Sequence, residues 1–354
     1  MKINNIGYSS IIFFITETMF LHIGLTEILN SAETNSIYSV LLGGLISLVV
    51  LYFIIKLFNY KKDLNIFVKN EIIYGKVLGN IINLFLVLLI IIYFTYSLWS
   101  INTYVQNKYL DSTPSFIIIL LFLIPVVLSQ VKGIKTISKA SLILLLITTL
   151  IIAFSIFNLY SSIDIDNFKP FFYKSFFIII KNAFIFSSYF VTPVFMILVT
   201  PKNDINDNKD ITKNITFFFI ISIINLLLLF IFIIGIFGID LAKILSYPEY
   251  SLMKKINFFD FIQHIENIST IEWLFSIFIT STFSLNFIKE YLNYKKINNI
   301  IYFLIIIVCF LLALVLFNNT TIANNMIKKY FILIYYIPIL IILISSNILK
   351  RNKS

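Results

Sequence analysis

A chain of 354 residues that is 59% hydrophobic and 12% charged, with a mean hydropathy of +0.96, carries more apolar surface than a water-soluble domain can bury. Its solvent is lipid. The net charge of +10 lies in short loops between apolar runs, which reads as membrane topology rather than nucleic-acid binding, and the single Cys309 excludes an intrachain disulfide and a multi-cysteine metal site.

Ten apolar segments follow one another at about 8–28, 37–57, 79–105, 115–131, 138–160, 175–199, 214–238, 270–290, 297–318 and 328–348. No soluble domain interrupts them, so residues 1–354 are expected to form a single integral membrane domain. The first segment is read as a retained helix, since a signal peptide has a shorter apolar core and a small-residue cleavage site. It carries Glu17, His22 and Glu27, with Gly24 two places after the histidine. Ionisable groups in hydrocarbon are costly and usually face a polar interior. His22 therefore either lines a site or packs against a neighbour, and Glu27 reads more simply as a residue at the water interface.

The second segment holds Gly43-Gly44, a close-packing point. The third carries Tyr93, Tyr96, Ser97, Ser100 and Tyr104 on one helical face. The sixth contains Ser187-Ser188-Tyr189 and then Thr192-Pro193, where proline removes a backbone donor and disfavours helix before it. Lys181 in the same segment is expected to snorkel. The eighth repeats Ser276, Thr280 and Ser284 at intervals of four, with Ser281 adjacent; such stripes serve as helix–helix glue or as ion ligands. Glu272 precedes Trp273 and is expected at the interface. Between the seventh and eighth segments, 250–266 is amphipathic, with Leu252, Ile256, Phe259, Ile262 and Ile265 near one face; it is expected to form an external lid.

Most of the 27 Lys and Arg fall in alternate loops if the N-terminus is cytoplasmic, which predicts both termini inside and an even number of crossings. Ten helices divide into five and five, and an odd-numbered half inverts on repetition. The fold class expected is an all-α polytopic membrane protein with ten transmembrane helices. These form a 5+5 inverted repeat, about 8–160 and 175–348, with broken helices 1 and 6 in a LeuT-like arrangement. The breaks place ligand-binding candidates at His22, Ile23 and Gly24, at Ser188, Tyr189, Thr192 and Pro193, and at Tyr96 beside them. Glu17, Thr280 and Ser284 are candidates for a proton, water or ion pathway. There is no phosphate loop, nucleophile elbow or cluster of metal ligands, so neither an enzyme nor a cofactor is expected.

Two strings carry a family resemblance. Ser31–Leu57, SAETNSIYSVLLGGLISLVVLYFIIKL, resembles the second-helix entry of spore germination permeases. Phe232–Glu266 resembles their seventh helix, with an I-G-x-F-G ending, a Y/W-P loop and F-[IL]-x-R-[IL]-E. Gly235, Gly238, Tyr247, Pro248, Phe261, Ile262, Ile265 and Glu266 match, while His264 stands where the family usually has Arg. The resemblance implies the B subunit of a Ger-type germinant receptor, with the amino acid/polyamine/organocation transporter fold. It implies a membrane A subunit and a lipoprotein C subunit as partners, the inner membrane of a bacterial spore as the location, and a small germinant such as an amino acid as ligand. Two departures stand against carrying over the ligand class: His22-x-Gly24 replaces the family's G-x-G, and Thr192-Pro193 lies where an acidic residue is common. The alternatives are a proton-coupled amino acid permease, through Glu17 or His22, and a scaffold that only holds partner subunits.

Overall fold

The computed structural model describes residues 2–206, 209–256, 266–315 and 320–350, with side chains left out at 266–269 and 320–322. Within these the chain is helical throughout, apart from turns and one isolated parallel bridge between Ile3 and Ile205. Lipid explains this, because a helix satisfies every backbone group within its own segment.

Helix α1 (Asn5–Met19) begins at Asn4, whose Oδ1 accepts the Ile6 and Gly7 amides. The chain then passes through one π-turn, Phe20–Gly24, into α2 (Leu25–Ala32). After a break at Glu33 (φ 55), α3 (Ser36–Phe58), α4 (Ile66–Tyr74), α5 (Lys76–Lys108), α6 (Ser115–Val131) and α7 (Ile134–Leu159) follow. Helix α8 (Phe176–Val191) tightens into a 3₁₀ stretch, Thr192–Val199. Next come α9 (Ile211–Ile244), kinked at Gly238, the short α10 (Pro248–Met253), α11 (Glu266–Tyr294) and α12 (Asn299–Val315). Last, α13 (Thr320–Phe331) joins α14 (Ile337–Leu349) through a second π-turn, Ile332–Tyr336, in a segment the sequence reads as uninterrupted.

Among the described residues, seven helical stretches are long and apolar enough to cross a membrane. The first, Asn5–Phe58, runs for 54 residues, and α6 and α12 are shorter apolar helices besides. All the apolar segments read from the sequence are therefore helices. The kink in α9 explains one residue of the family pattern. Gly238 has φ 66, and Asn167, whose Nδ2 donates to the Gly235 carbonyl, lies close against it.

Helix α1 is buried from Gly7 to Met19, which makes it the axis of the bundle, packed by α7, α8, α9 and α11. Helices α3 and α8 lie against each other at Gly43, where a Cβ would meet the Ala183 carbonyl at 2.7 Å. Apolar side chains on α6, α7 and α12, such as Leu121, Leu150, Phe157 and Leu311, remain exposed to the lipid side.

At the far end of α3 the terminal carbonyls are closed by ammonium groups. Lys69 Nζ donates to the Leu57 and Phe58 carbonyls at 3.2 and 3.3 Å, and Lys350 Nζ to Lys56 at 2.9 Å. Lys202 reaches Asn59 at 2.6 Å, and Asn347 donates to Phe53 at 3.1 Å. Lys69 is fully buried on α4, and desolvation, with Lys350 and Lys202 nearby, lowers its ammonium to about 7. Between about 7 and the ordinary lysine value the unfolded chain holds a proton that the folded chain lacks. Folding stability is therefore expected to rise with pH across that window, by roughly 1.4 kcal/mol per pH unit. Thermal unfolding of Lys69→Met in detergent should lose that slope; an unchanged slope would assign it to another group.

Candidate functional site

The π-turn at Phe20–Gly24 carries His22. The Leu25 amide reaches back five residues to the Phe20 carbonyl, so one extra residue is bulged out of the helix. The His22 ring stacks on Trp273 of α11 at 5.7 Å and meets Tyr96 and Trp99 of α5 edge-on at 5.7 and 5.5 Å. Tyr247 closes a fourth side at 6.5 Å, and Tyr104 braces both Trp273 and Tyr247, at 4.4 and 4.9 Å. One side of His22 looks into a polar cleft of about 330 Å³ that also involves Thr26, Asn107, Lys243, Tyr247 and Asn324.

The inner side of this aromatic box is polar without being satisfied. His22 Nδ1 is enclosed without a hydrogen-bond partner, and Tyr96 OH and Ser100 Oγ are enclosed with only each other nearby; Tyr93 OH, one turn before Tyr96, and Ser281 Oγ on α11 are likewise enclosed and unpartnered. Leaving one buried polar group unmatched costs about 1–3 kcal/mol. Enclosed polar atoms beside the bulge suit water or a polar ligand.

The second interruption lies beside the first. Gly24 packs against Phe20 and against Tyr189, where an added Cβ would fall 2.7 and 3.1 Å from the rings. Tyr189 OH donates to Glu27 Oε2 at 2.9 Å, and its ring stacks on Phe331, which stacks on Tyr335. The two interruptions thus meet through Gly24, Glu27 and Tyr189. Helix α8 does not unwind at Pro193; it continues as 3₁₀ turns. The Ser188 hydroxyl donates to Ile185 O at 2.8 Å, and the Thr192 hydroxyl donates to Ser188 O. Ile23, Thr192 and Pro193 are buried in the core around this meeting point. Glu27 is half-buried beside Tyr189, in a cleft shared with Lys181 and Lys328.

Deeper on α1, Glu17 is fully buried and its Oε1 accepts from Asn225 Nδ2 at 2.8 Å and from Ser222 Oγ at 3.4 Å. Asn225 lines a cavity together with Glu272, and the two carboxyls act on each other electrostatically. Glu272, near the start of the Thr270–Tyr294 stretch, is half-buried and faces a cavity with Asn225 and Trp273. Asn225 was legible as the lone amide in the apolar run of the seventh segment. Thr280 and Ser284 are occupied in helix contacts, Thr280 with Thr18 at 2.8 Å and Ser284 with Thr280 O at 2.8 Å and the Met196 sulfur at 3.6 Å. Among the described residues no group of three His, Cys, Asp or Glu is placed to hold a metal.

The lid read at 250–266 is described only in part. Residues 250–253 belong to α10, where Tyr250, Leu252 and Met253 are buried, while 257–265, with Phe261, Ile262, His264 and Ile265, lie outside the described residues.

A family model described as spore germination protein, of the spore permease type, matches residues 8–322, from the start of α1 to the start of α13. The chain belongs to the spore germination permease family. It is a germination-related, permease-like integral membrane protein. No curated protein matches it.

Proposed function

We propose that this permease is the germinant-sensing B subunit of a spore germination receptor. It would bind a small nutrient such as an amino acid in the chamber behind His22. The observation that carries the reading is the set of enclosed polar atoms beside the π-turn, His22 Nδ1 without a partner and Tyr96 OH and Ser100 Oγ with only each other, walled by aromatic rings. Its partners would be a membrane A subunit and a lipoprotein C subunit, in the inner membrane of the spore. Two readings of the architecture go with this. With the first helical stretch divided at Glu33 and with α6 and α12 counted, the chain would make ten crossings. These would form one domain of two inverted five-helix repeats, about 8–160 and 175–348.

Spores lacking the gene should fail to respond to one member of a panel of single amino acids. Tyr96→Phe combined with Ser100→Ala should then require about tenfold more of that nutrient, since each lost hydrogen bond contributes about 0.5–1.5 kcal/mol. An unchanged requirement would place the ligand elsewhere. Both termini are proposed to be cytoplasmic. A cysteine introduced at Asp111 should react with an impermeant thiol reagent from outside and one at Lys62 should not; the reverse pattern would invert the topology.

The second reading is a proton-coupled permease. The buried Glu17 carboxyl on the axial helix favours it. Uptake of the same nutrient by proteoliposomes under an imposed proton gradient separates the two readings, since a sensing subunit accumulates none.

A further inference from the structure

Glu17 and Glu272 stand on different helices, α1 and α11, with one amide close to both. Asn225 Nδ2 donates to Glu17 Oε1 at 2.8 Å, and Asn225 and Glu272 line the same cavity. The other oxygen of Glu17, Oε2, is enclosed and has no partner. Ser222 and Thr16 support the site from below, bonded to each other at 2.7 Å. Two carboxyls so placed need something positive between them. No lysine or arginine supplies it: among the described residues the only charged group bearing on Glu17 is Glu272, and none other bears on Glu272. Helix α9 offers Ser222 and Asn225, α11 offers Glu272 and Thr280, α7 offers Ser155, and α10 offers Glu249, which is itself next to Lys108.

The missing partner is a proton rather than a metal cation. A metal ion in this position would meet the N–H of Asn225, a donor, where it needs an oxygen. A protonated carboxyl, in contrast, supplies the O–H that the unpartnered Glu17 oxygen accepts, and it leaves the amide free to donate. Two like charges that act on each other inside the bundle, one of them fully buried, are costly to hold together.

An approach exists. A cavity of about 60 Å³, open to the centres of water molecules, lies against Asn225, Glu272, Trp273 and Ser155, with Glu249 on α10 among its walls. Since ~10–15 Å³ is enough to admit one water, this cavity is roomy enough for water. Glu249 lies outside the membrane-spanning helices, and burial raises its carboxyl to about 8, so it is a donor and acceptor of protons in the neutral range.

We propose that Glu17 and Glu272 hold a single proton between them across Asn225, and that this proton exchanges with solvent through the cavity past Ser155 and Glu249. In each exchange the resident proton leaves its carboxyl oxygen for a cavity water or the Glu249 carboxylate, which passes a proton to the outside, and a proton from a second cavity water, itself replenished from outside, bonds to a carboxylate oxygen of the pair, which again holds one. The site adjoins the chamber behind His22, since Trp273 walls both, and the test below is made without nutrient so that occupancy of that chamber does not enter it.

The test is infrared spectroscopy of the full chain in lipid nanodiscs at neutral pH, with no nutrient added. The double variant Glu17→Gln/Glu272→Gln should lose the protonated-carboxyl intensity of one group relative to wild type. Loss of none, or of two, overturns the shared proton. Asn225→Ala, which keeps both carboxyls in case the double variant does not fold, should move the band; a band at the same frequency removes the bridge. In heavy water the band should shift promptly in wild type and at least tenfold more slowly in Ser155→Leu, which fills the cavity; equal rates overturn the path. Exchanging potassium for sodium in the buffer should leave the band in place, and its disappearance in sodium would assign the site to a metal cation instead.

Discussion

Gly24→Leu is expected to abolish the response to nutrient while the protein remains in the membrane. The reason is what already occupies the space around Gly24. A first side-chain carbon there falls 2.7 Å from the Phe20 ring and 3.1 Å from the Tyr189 ring, so no open cavity receives it. The near Phe20 atoms belong to a side chain on the same turn, which can rotate; Tyr189 is held by its bond to Glu27 and its stack on Phe331. Leucine must therefore displace Tyr189, break the 2.9 Å bond to Glu27 and part the two interrupted helices. Gly24→Ala also has to move the Phe20 ring but asks Tyr189 to give by only a few tenths of an ångström, and it should raise the nutrient requirement less than leucine does. Germination assays on the two variants, with protein levels measured in the spore membrane, check this. A Gly24→Leu protein at normal level with an unchanged response would show that the meeting of the two interruptions has no part in sensing.

Gly43→Leu is expected to prevent stable folding altogether. Its first carbon would lie 2.7 Å from the Ala183 carbonyl, which is backbone, and 2.7 Å from Phe186. Neither can give way without parting α3 from α8 along their length. Overpacking of a tight core costs about 1–3 kcal/mol when side chains alone adjust, and more where backbone must move. Contact with lipid returns nothing, since lipid tails are as apolar as the side chains they would replace. Gly44→Leu is the comparison: it meets only the branched end of Ile223 at 2.9 Å and should be tolerated far better. Detergent-solubilised yield and thermal midpoint of the two variants decide the matter.

The helices were legible because long apolar runs bounded by lysine and asparagine leave few alternatives in lipid. His22-Ile23-Gly24 was legible as an interruption, since a glycine beside a polar residue stands out in an apolar helix. What kind of interruption it is was not legible. A π-turn and an unwound stretch differ by one backbone hydrogen bond, and the choice is made by the rings packed around His22. Pro193 behaved likewise: the missing donor is accommodated by tightening to 3₁₀ turns, with the Thr192 hydroxyl taking the Ser188 carbonyl. The Asn225–Glu272 partnership with Glu17 was hidden for another reason. Those residues are far apart in the chain, and nothing local in...TIEWLF... distinguishes a glutamate facing water from one turned toward an amide on a neighbouring helix. Tyr93 and Ser100 were legible as part of a polar stripe, which serves as helix–helix glue or as ligands, and only their enclosure separates them from ordinary contacts.

The lysine-closed end of α3 has a mechanical meaning. Lys69, Lys202, Lys350 and Asn347 join the end of that helix to α4, to the chain just beyond the 3₁₀ stretch, and to α14 and the residue that follows it. Each bond goes to a backbone carbonyl or a short amide and leaves little slack. Sliding α3 along α14 by one turn would break several of them together. Rotation about this end would strain them least, and displacement would grow with distance from it along α3. A stimulus acting at the far end of the bundle would then be converted into a tilt, with the clamped end as its fulcrum.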